Sequence, residues 1–561
     1  MTTVKNQLRE IIHSSLSKQE LSAGKYTIEH PTQTEYGDFA TNIALVIAKK
    51  QSINSYELAT KIVHKITAKK HKILEKVEVA GPGFINFFLS KKYFVDSIAD
   101  IQKKGETYGS LQVGKGKTII VEFSSPNIAK PFTIGHLRST IIGDAVARIL
   151  TFSGYSVLRD NHLGDWGTQF GKQIVALKKW GSDADLKKAE NPVKYLVDLY
   201  VQFHTEAEKD PTLEDEARAW FLKLEQGDKE ARKIWKECVD WSMVQFNKLY
   251  EMLDVKFDMM LGESFFEDKM GPVLDELQKK GLAKESQGAL LVFFPNDKYP
   301  PLMVKKKDGA TLYATRDLAT DRYRIQTWGK DIIIINEVGA EQRLYFKQIY
   351  ETEEMLGYLK KSQRIHIGHG MMRFKEGKMS TRKGNTIWLE DVLAEAVKRA
   401  SAFNPKVAKE VGIGALKYND LKREYSKDVM FVWDDVLNLK GNSGPYLQYT
   451  YARAQSVLRK AGEQKLTAET PTSLRNIEIT TVERLLCEFP EVVERSAREY
   501  APHHICTYVF ALGQAFNTYY ATNQIIQAGE LTGYRLLLTQ AVSQVMKNSL
   551  TLLGIQTPEK M

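Results

Sequence analysis

The chain has 561 residues, 43% hydrophobic and 26% charged, with three cysteines and a formal net charge of +10. A single core rarely grows past about 250–300 residues, so this length implies several domains. No run of about 18 apolar residues offers a transmembrane helix, and Cys238, Cys487 and Cys506 are too scattered to suggest a disulfide framework or a cysteine zinc site. The first twenty residues are polar and helical in pattern, without a signal-peptide core, so a reducing cytoplasm is the expected location.

Charge is uneven along the chain. Residues 1–117 carry 18 Lys and Arg against 11 Asp and Glu, whereas residues 441–561 carry 11 against 10. A polyanionic partner would explain a basic N-terminal segment, and so would a solvated lysine-rich face.

Residues 1–110 read as a small α+β domain. Val4, Leu8, Ile11, Ile12 and Leu16 recur at helical spacing, and Ala40 to Lys49 reads as a second helix. Val77 to Ala80 and Gly83 to Leu89 read as strands around a Gly-Pro-Gly turn. Gly105 to Lys117, rich in Gly and Lys, reads as a linker. Within it Gly109 to Lys115 imitates the start of a P-loop, but Gly116 stands where Ser or Thr is needed and a strand follows, so that reading is rejected.

From Lys117 to about Arg159 the pattern is strand, loop, helix, strand, a βαβ unit. Long charged helices and a less regular stretch at about 180–300 interrupt it as an insertion. The α/β pattern resumes with the apolar run Asp331 to Asn336, a helix from Gln342 to Leu356 and a strand from Arg364 to Ile367. From about Asp391 the chain reads as almost wholly helical. The expected architecture is therefore α/β: a Rossmann-type parallel-sheet domain over 111–390 with its insertion, the N-terminal domain before it, a helical stem over 391–440, and an all-α bundle over 441–561.

Two segments carry the chemistry. Ser124 to His136 links a buried strand to a helix that starts near Gly135 and His136, and free N–H groups at a helix start favour phosphate. About 240 residues later, Gly377-Lys378-Met379-Ser380-Thr381-Arg382-Lys383-Gly384 forms a basic, glycine-flanked loop suited to closing over a leaving pyrophosphate. Such a pair can hold a polyphosphate at both ends, chemistry in which positioning and electrostatics do most of the work. His136 can donate to a phosphate oxygen, and Lys130, Lys378, Arg382 and Lys383 can add positive charge. His366 and His369 lack an evident third partner, so no metal site is expected.

In this order and spacing the two loops resemble the signature loops of class I aminoacyl-tRNA synthetases. Val121 to Pro131, Asn161 to Gly171, Tyr313 to Asp317, Met379 to Gly384, Gly444 to Tyr449 and the ending Leu553-Gly554-Ile555 resemble the arginyl-tRNA synthetases over essentially the whole chain. The resemblance implies arginine activation with Mg²⁺-bound ATP, then transfer to tRNA(Arg), with tRNA needed even for the first step. It puts Glu122, Asn127, Tyr313, Asp317 and Gln342 at arginine-pocket positions. A guanidinium, planar and always charged, asks for such carboxylates and neutral acceptors. It puts Thr133, Gly135, His136, His366, Met371, Met372, Lys378, Met379 and Ser380 at the ATP site. It also puts Phe84 and Asn86 at the tRNA elbow, and Tyr446, Tyr449, Arg453 and Met561 at the anticodon, Tyr446, Tyr449 and Arg453 sharing one helix face. Thr133 replaces the first signature histidine; a threonine donates one hydrogen bond but carries no charge, which leaves Lys130 as the candidate for it.

A monomer without membrane contact is the expected form. The competing readings are a non-catalytic RNA-binding paralogue, favoured only by Thr133, and a small-molecule nucleotidyltransferase, for which the two end domains would have no purpose. His136→Ala or Lys378→Ala is expected to lower the activation rate about 10²–10³-fold, the usual cost of one transition-state donor. Single-turnover kinetics check this, and a loss below about tenfold would mean the residue is misassigned.

Overall fold

The computed structural model describes residues 3–17, 24–307, 311–374, 387–471 and 473–561. Near the N-terminus, β1 (Ile28–Glu29), β2 (Phe39–Thr41), β3 (Leu74–Ala80) and β4 (Phe84–Leu89) form an antiparallel sheet in the order β1-β2-β4-β3. Ile85, Phe87 and Leu89 alternate onto its buried face beneath the helices Val4–Ser15, Ile43–Gln51 and Ser55–Thr67. The turn from β3 to β4 uses left-handed Gly81 and Gly83, and a Cβ on Gly83 would lie 2.9 Å from the Ser55 carbonyl oxygen. Ala40, expected in a helix, pairs with Asn86 in β2 instead. Phe39 and Thr41 are buried on either side of it, a period of two that a helix cannot match.

The helix Lys91–Lys104 turns Phe94 toward this small core but Val95, Ile98 and Ile101 into the main core of the molecule. The glycine-rich stretch after it is strapped down. The Tyr108 hydroxyl donates to the Leu486 carbonyl at 3.0 Å, and Asn548 donates to the carbonyls of Gly105 and Tyr108. Gly109 and Gly114 are pressed against Phe489 and Tyr155, which leaves no phosphate cradle there.

β5 (Thr118–Glu122), the helix Ile134–Phe152 and β6 (Ser156–Asp160) form the expected βαβ unit. The chain then builds helices Gln169–Trp180, Pro192–Ala207, Thr212–Glu225 and Lys229–Met252. A three-stranded antiparallel sheet follows, β7 (Ala283–Ser286), β8 (Ala289–Val292) and β9 (Leu302–Lys305), with the helix Tyr313–Trp328 behind it. β10 (Ile333–Gly339), the helix Arg343–Leu356 and β11 (Arg364–His369) complete a four-stranded parallel sheet in the order β11-β10-β5-β6. Its apolar strands are covered by helices on both faces, as parallel sheets require.

One short pair breaks the helical run after residue 391: β12 (Met372–Phe374) lies parallel to β13 (Val429–Phe431). The helices Leu389–Ala400 and Ala408–Leu421 lead to a bundle of Gly444–Glu463, Thr481–Glu499, His503–Thr522 and Thr532–Leu552. Its seams continue the core that begins beneath β5, from Ile141 and Val146 through Tyr418 to Leu447, Leu512 and Met546.

Candidate active site

The loop after β5 is backbone-strained. Ser124, Ser125 and Ala129 adopt φ of 73°, 44° and 54°, a left-handed region that costs non-glycine residues energy. Hydroxyl and amide groups from three other segments hold it there. The Ser124 N–H donates to Ser139 Oγ at 3.0 Å, and the Ser124 hydroxyl shares hydrogen bonds with Thr140 (2.8 Å) and Tyr250 (2.9 Å). Ser125 N–H donates to Asn161 Oδ1, and Ala129 N–H donates to Ser242 Oγ at 3.0 Å. Gly164 brackets the loop tip, with its N–H on the Pro126 carbonyl and its carbonyl on the Ile128 N–H. A Cβ at Gly164 would lie 2.4 Å from Asn127 Oδ1, so only glycine leaves room for Asn127. The segment from Asn161 to Gly171 thus acts as scaffold: Asp165 accepts from the Ser264 N–H and hydroxyl, and the Ala217 carbonyl approaches Gly171 where no side chain would fit.

His136 lies in the first turn of the helix Ile134–Phe152. Thr133 turns both its backbone N–H and its hydroxyl to His136 Nδ1, each at 3.0 Å. Nδ1 therefore accepts, and the ring proton sits on Nε2. Burial, with help from the neighbouring Lys130 and His369 charges, lowers the pKa of His136 to about 4. At neutral pH it is an uncharged donor. Thr133 consequently acts on His136 rather than standing in for a histidine directed into the cleft. Gly135 is exposed beside it, and a Cβ there would meet only Thr133 Oγ1, at 3.5 Å. Lys130 is half-buried without a hydrogen-bond partner among the described residues, and burial lowers its pKa against the pull of Glu263.

Lys378, Met379, Ser380, Arg382 and Lys383 lie outside the described residues. The flanks of their segment are tied to the first loop. The Leu389 N–H donates to the Phe132 carbonyl at 2.9 Å beside a bridge between Thr133 and Trp388. On the other flank, Arg138 donates to the Gly370 carbonyl at 2.7 Å. His369 Nδ1 lies 2.8 Å from Glu337; burial would lower its pKa, but this carboxylate overrides burial and raises it. His366 stacks on Phe346, Met371 is exposed with its N–H on Asp428, and Met372 is partly buried on β12.

The five arginine-pocket candidates come from three segments: Glu122 and Asn127 at and after the end of β5, Gln342 just after β10, and Tyr313 and Asp317 in the first turns of the helix Tyr313–Trp328. Asn127, in the loop after β5, and Gln342, at the end of the 3-10 turn Ala340–Gln342, are exposed, and Tyr313 opens the helix Tyr313–Trp328 at 57% exposure. Asp317, one turn on, accepts from the Tyr345 hydroxyl, and burial raises its pKa to about 7. Glu122 differs from expectation. Its oxygens are already engaged, one by Arg324 at 2.5 Å and the other by Asn336 at 3.0 Å. Burial would raise its pKa, but the Arg324 guanidinium keeps it low, so it is a charged but internally paired group. Ser242, Tyr250, Arg324 and Tyr345 have no local sequence signal; they reach the site only through long-range packing.

At the far end of the molecule, Tyr449, Arg453, Tyr520 and Met561 line an open cleft of about 970 Å³. Arg453 lies 5.0 Å from the Tyr449 ring centroid and 5.4 Å from that of Tyr520. Tyr520 is exposed where its neighbour Tyr519 is buried, a difference that no local sequence signal marks. Tyr446 is packed behind them, its hydroxyl accepting from Asn517. In the N-terminal sheet Phe84 and Asn86 share the outer face of β4, but Phe84 is 40% exposed and Asn86 only 3%. Neighbouring strands β2 and β3 flank Asn86, so of the two only Phe84 offers an open surface.

Three family descriptions match the chain: "tRNA synthetases class I (R), catalytic domain" over residues 97–433, "DALR anticodon binding domain" over 447–561, and "Arginyl tRNA synthetase N terminal domain" over 3–89. The arginine–tRNA ligase of Halothermothrix orenii is 41% identical over the full length of both chains, and that of Clostridium perfringens is 42% identical over 97% of each. Among solved structures, arginyl-tRNA synthetase from Plasmodium falciparum superposes with a TM-score of 0.83 at 26% identity, covering both chains completely. That from Thermus thermophilus shares the fold, with a TM-score of 0.82 at 23% identity over the same coverage.

The hydroxyl brace predicts a measurable cost. Ser242→Ala leaves the buried Ala129 N–H unpartnered and is expected to destabilise the chain by about 1–3 kcal/mol. Urea denaturation followed by circular dichroism checks the loss; an unchanged midpoint would mean that water or a neighbour replaces the serine.

Proposed function

The chain belongs to the class I arginyl-tRNA synthetases, and from that premise we propose which of its residues carry each step. It is an ATP-dependent arginine–tRNA ligase, joining L-arginine to ATP with release of pyrophosphate and then passing the arginyl group to the 3′-terminal adenosine of tRNA(Arg). ATP enters as its magnesium complex, the ion riding on the phosphates as part of the substrate.

Arginine lies over the ends of β5 and β10. Asp317 and Tyr313 take its guanidinium, while Asn127 and Gln342 hold the α-amino and carboxylate end. Glu122 adds negative potential from beneath, since its oxygens are shared with Arg324 and Asn336. The substrate carboxylate attacks the α-phosphate, the bond to the bridging oxygen breaks, and pyrophosphate leaves. His136 Nε2–H donates to an α-phosphate oxygen as charge develops there, and being uncharged it needs no proton from solvent. Lys130 supplies the positive charge that Thr133 cannot. Gly135, His366, Met371 and Met372 border the nucleotide, and Lys378, Met379, Ser380, Arg382 and Lys383 follow the departing pyrophosphate.

The near-neutral C-terminal domain reads the anticodon by stacking on Tyr449 and Tyr520, with Arg453 and Met561 beside them and Tyr446 supporting from behind. Phe84 stacks on an unpaired base at the tRNA elbow, and Asn86 contributes only where its cover yields. We place the domain limits at 1–110, 111–390, 391–440 and 441–561, and read the protein as a cytoplasmic monomer that needs tRNA for activation. The observation that carries the reading is the neutral His136, held by Thr133 at the helix start between Lys130 and the anchored flanks of the second loop.

Arginine-dependent ATP–pyrophosphate exchange, with and without tRNA(Arg), tests it. Exchange only with tRNA is expected; exchange without it discards the tRNA requirement, and none in either case discards the catalytic assignment. The same assay tests Asp317. Its raised pKa must fall when a guanidinium binds, so arginine displaces a proton at low pH. The KM for arginine is expected to be flat above about pH 8 and to rise roughly tenfold per unit below about pH 6. A KM indifferent to pH over that range would remove Asp317 from the pocket.

A further inference from the structure

We infer that Tyr345 is a positioning residue that makes the pocket selective for a cationic side chain: its hydroxyl donates to Asp317 Oδ2 and aims the carboxylate at the guanidinium. The inference rests on the arginine pocket proposed above. Tyr345 stands one turn into the helix that follows Gln342, and its hydroxyl donates to Asp317 Oδ2. Asp317 Oδ1 has no hydrogen-bond partner among the described residues. The Tyr345 ring meets Tyr313 edge-on at 4.8 Å and Phe346 at 5.3 Å, so its orientation is set by packing on both sides. Tyr313 and Asp317 thus converge on this one side chain.

The neighbouring carboxylates are taken. Arg324 pairs with Glu122, Asp160 and Asp321, and Arg364 pairs with Asp321 and Glu353. The groups acting on Asp317 are His162 from the loop after β6, Glu122 from β5, Asp321 on its own helix, and Tyr345. Of these only Tyr345 hydrogen-bonds it. Burial raises the phenol's pKa, so Tyr345 stays protonated and can only donate to the acid. Donation stabilises the ionised carboxylate, which accepts from a guanidinium N–H. A protonated Asp317 would instead carry a donor of its own and could meet the oxygen of a neutral ureido group. Tyr345 therefore bears on which of two isosteric side chains, charged or neutral, the pocket admits.

The test is steady-state kinetics of Tyr345→Phe, which keeps the ring and its packing, with arginine and with its neutral ureido isostere citrulline, from about pH 6 to pH 9. Asp317→Asn is measured alongside. For Tyr345→Phe the arginine KM at neutral pH is expected to rise about tenfold, with kcat within about twofold. The midpoint of its pH profile moves upward, and the preference for arginine over citrulline falls about tenfold. If Asp317→Asn raises the arginine KM while Tyr345→Phe moves neither the pH profile nor the preference, the inference fails and the pocket stands. A fall in kcat alone, with the profile unmoved, also overturns it. If Asp317→Asn leaves the arginine KM unchanged, the pocket and the inference fall together.

Discussion

Arg138 is the interaction on which the rest of the site depends. It sits in the helix that begins at the first loop, is only 1% exposed, and pairs with Asp420 at 3.1 Å. Its remaining donors reach the carbonyls of Gly370 and Tyr425. One guanidinium therefore joins the helix bearing His136, the strand end that leads toward the second loop, and the helix Ala408–Leu421. Burial raises the pKa of Asp420, and Arg138 opposes that rise, so the two charges are tolerated only as a pair. Removing one partner of such a buried pair typically costs about 3–5 kcal/mol. The fork of an arginine, unlike a lysine's point charge, can satisfy carbonyls and a carboxylate at once.

A second buried assembly of charges lies beneath the strand ends where the arginine pocket is proposed. Arg324 and Arg364 run beneath the strand ends and bind Glu122, Asp160, Asp321 and Glu353. The arginines hold Glu122 and Asp321 ionised against burial, whereas burial prevails at Asp160 and raises its pKa. At Asp317 the negative potential of Glu122 and Asp321 adds to the effect of burial, against the opposing pull of His162 and the hydrogen bond from Tyr345. A guanidinium bound as proposed would offset that negative potential, a form of preorganisation.

The distant end of the chain reaches the same helix. Lys417 donates to the carbonyls of Leu253 and Gly554, the latter at 2.7 Å, while Asp144 and Arg148 of the first-loop helix lie alongside. Gly554 adopts a φ of 65°, and a Cβ there would lie 2.9 Å from both Asp144 Oδ2 and Lys417 Nζ. Burial lowers the pKa of Lys417 to about 8. The ending Leu553-Gly554-Ile555 is thus a packing requirement: the terminal segment of the helical domain is seated on the helix that carries His136.

Much of this protein was legible in its residues alone. The βαβ unit, the parallel strands at β10 and β11, the loop before His136, the rejection of Gly109–Lys115 as a phosphate site and the helical end all follow from local periodicity and turn chemistry, which act over a few residues. The proposed grouping of His136, Asp317 and Tyr313 rests instead on the order and spacing of the family motifs. Tertiary structure alone decided what each group can do. That Thr133 serves His136, that Glu122 is bound by Arg324, that Asn86 is covered, and that Ser242 and Tyr250 brace a strained loop more than a hundred residues away all depend on side chains meeting across the fold. Charge state and donor direction are properties of those meetings, since burial and paired partners, not residue identity, set a pKa and occupy a hydrogen-bonding atom.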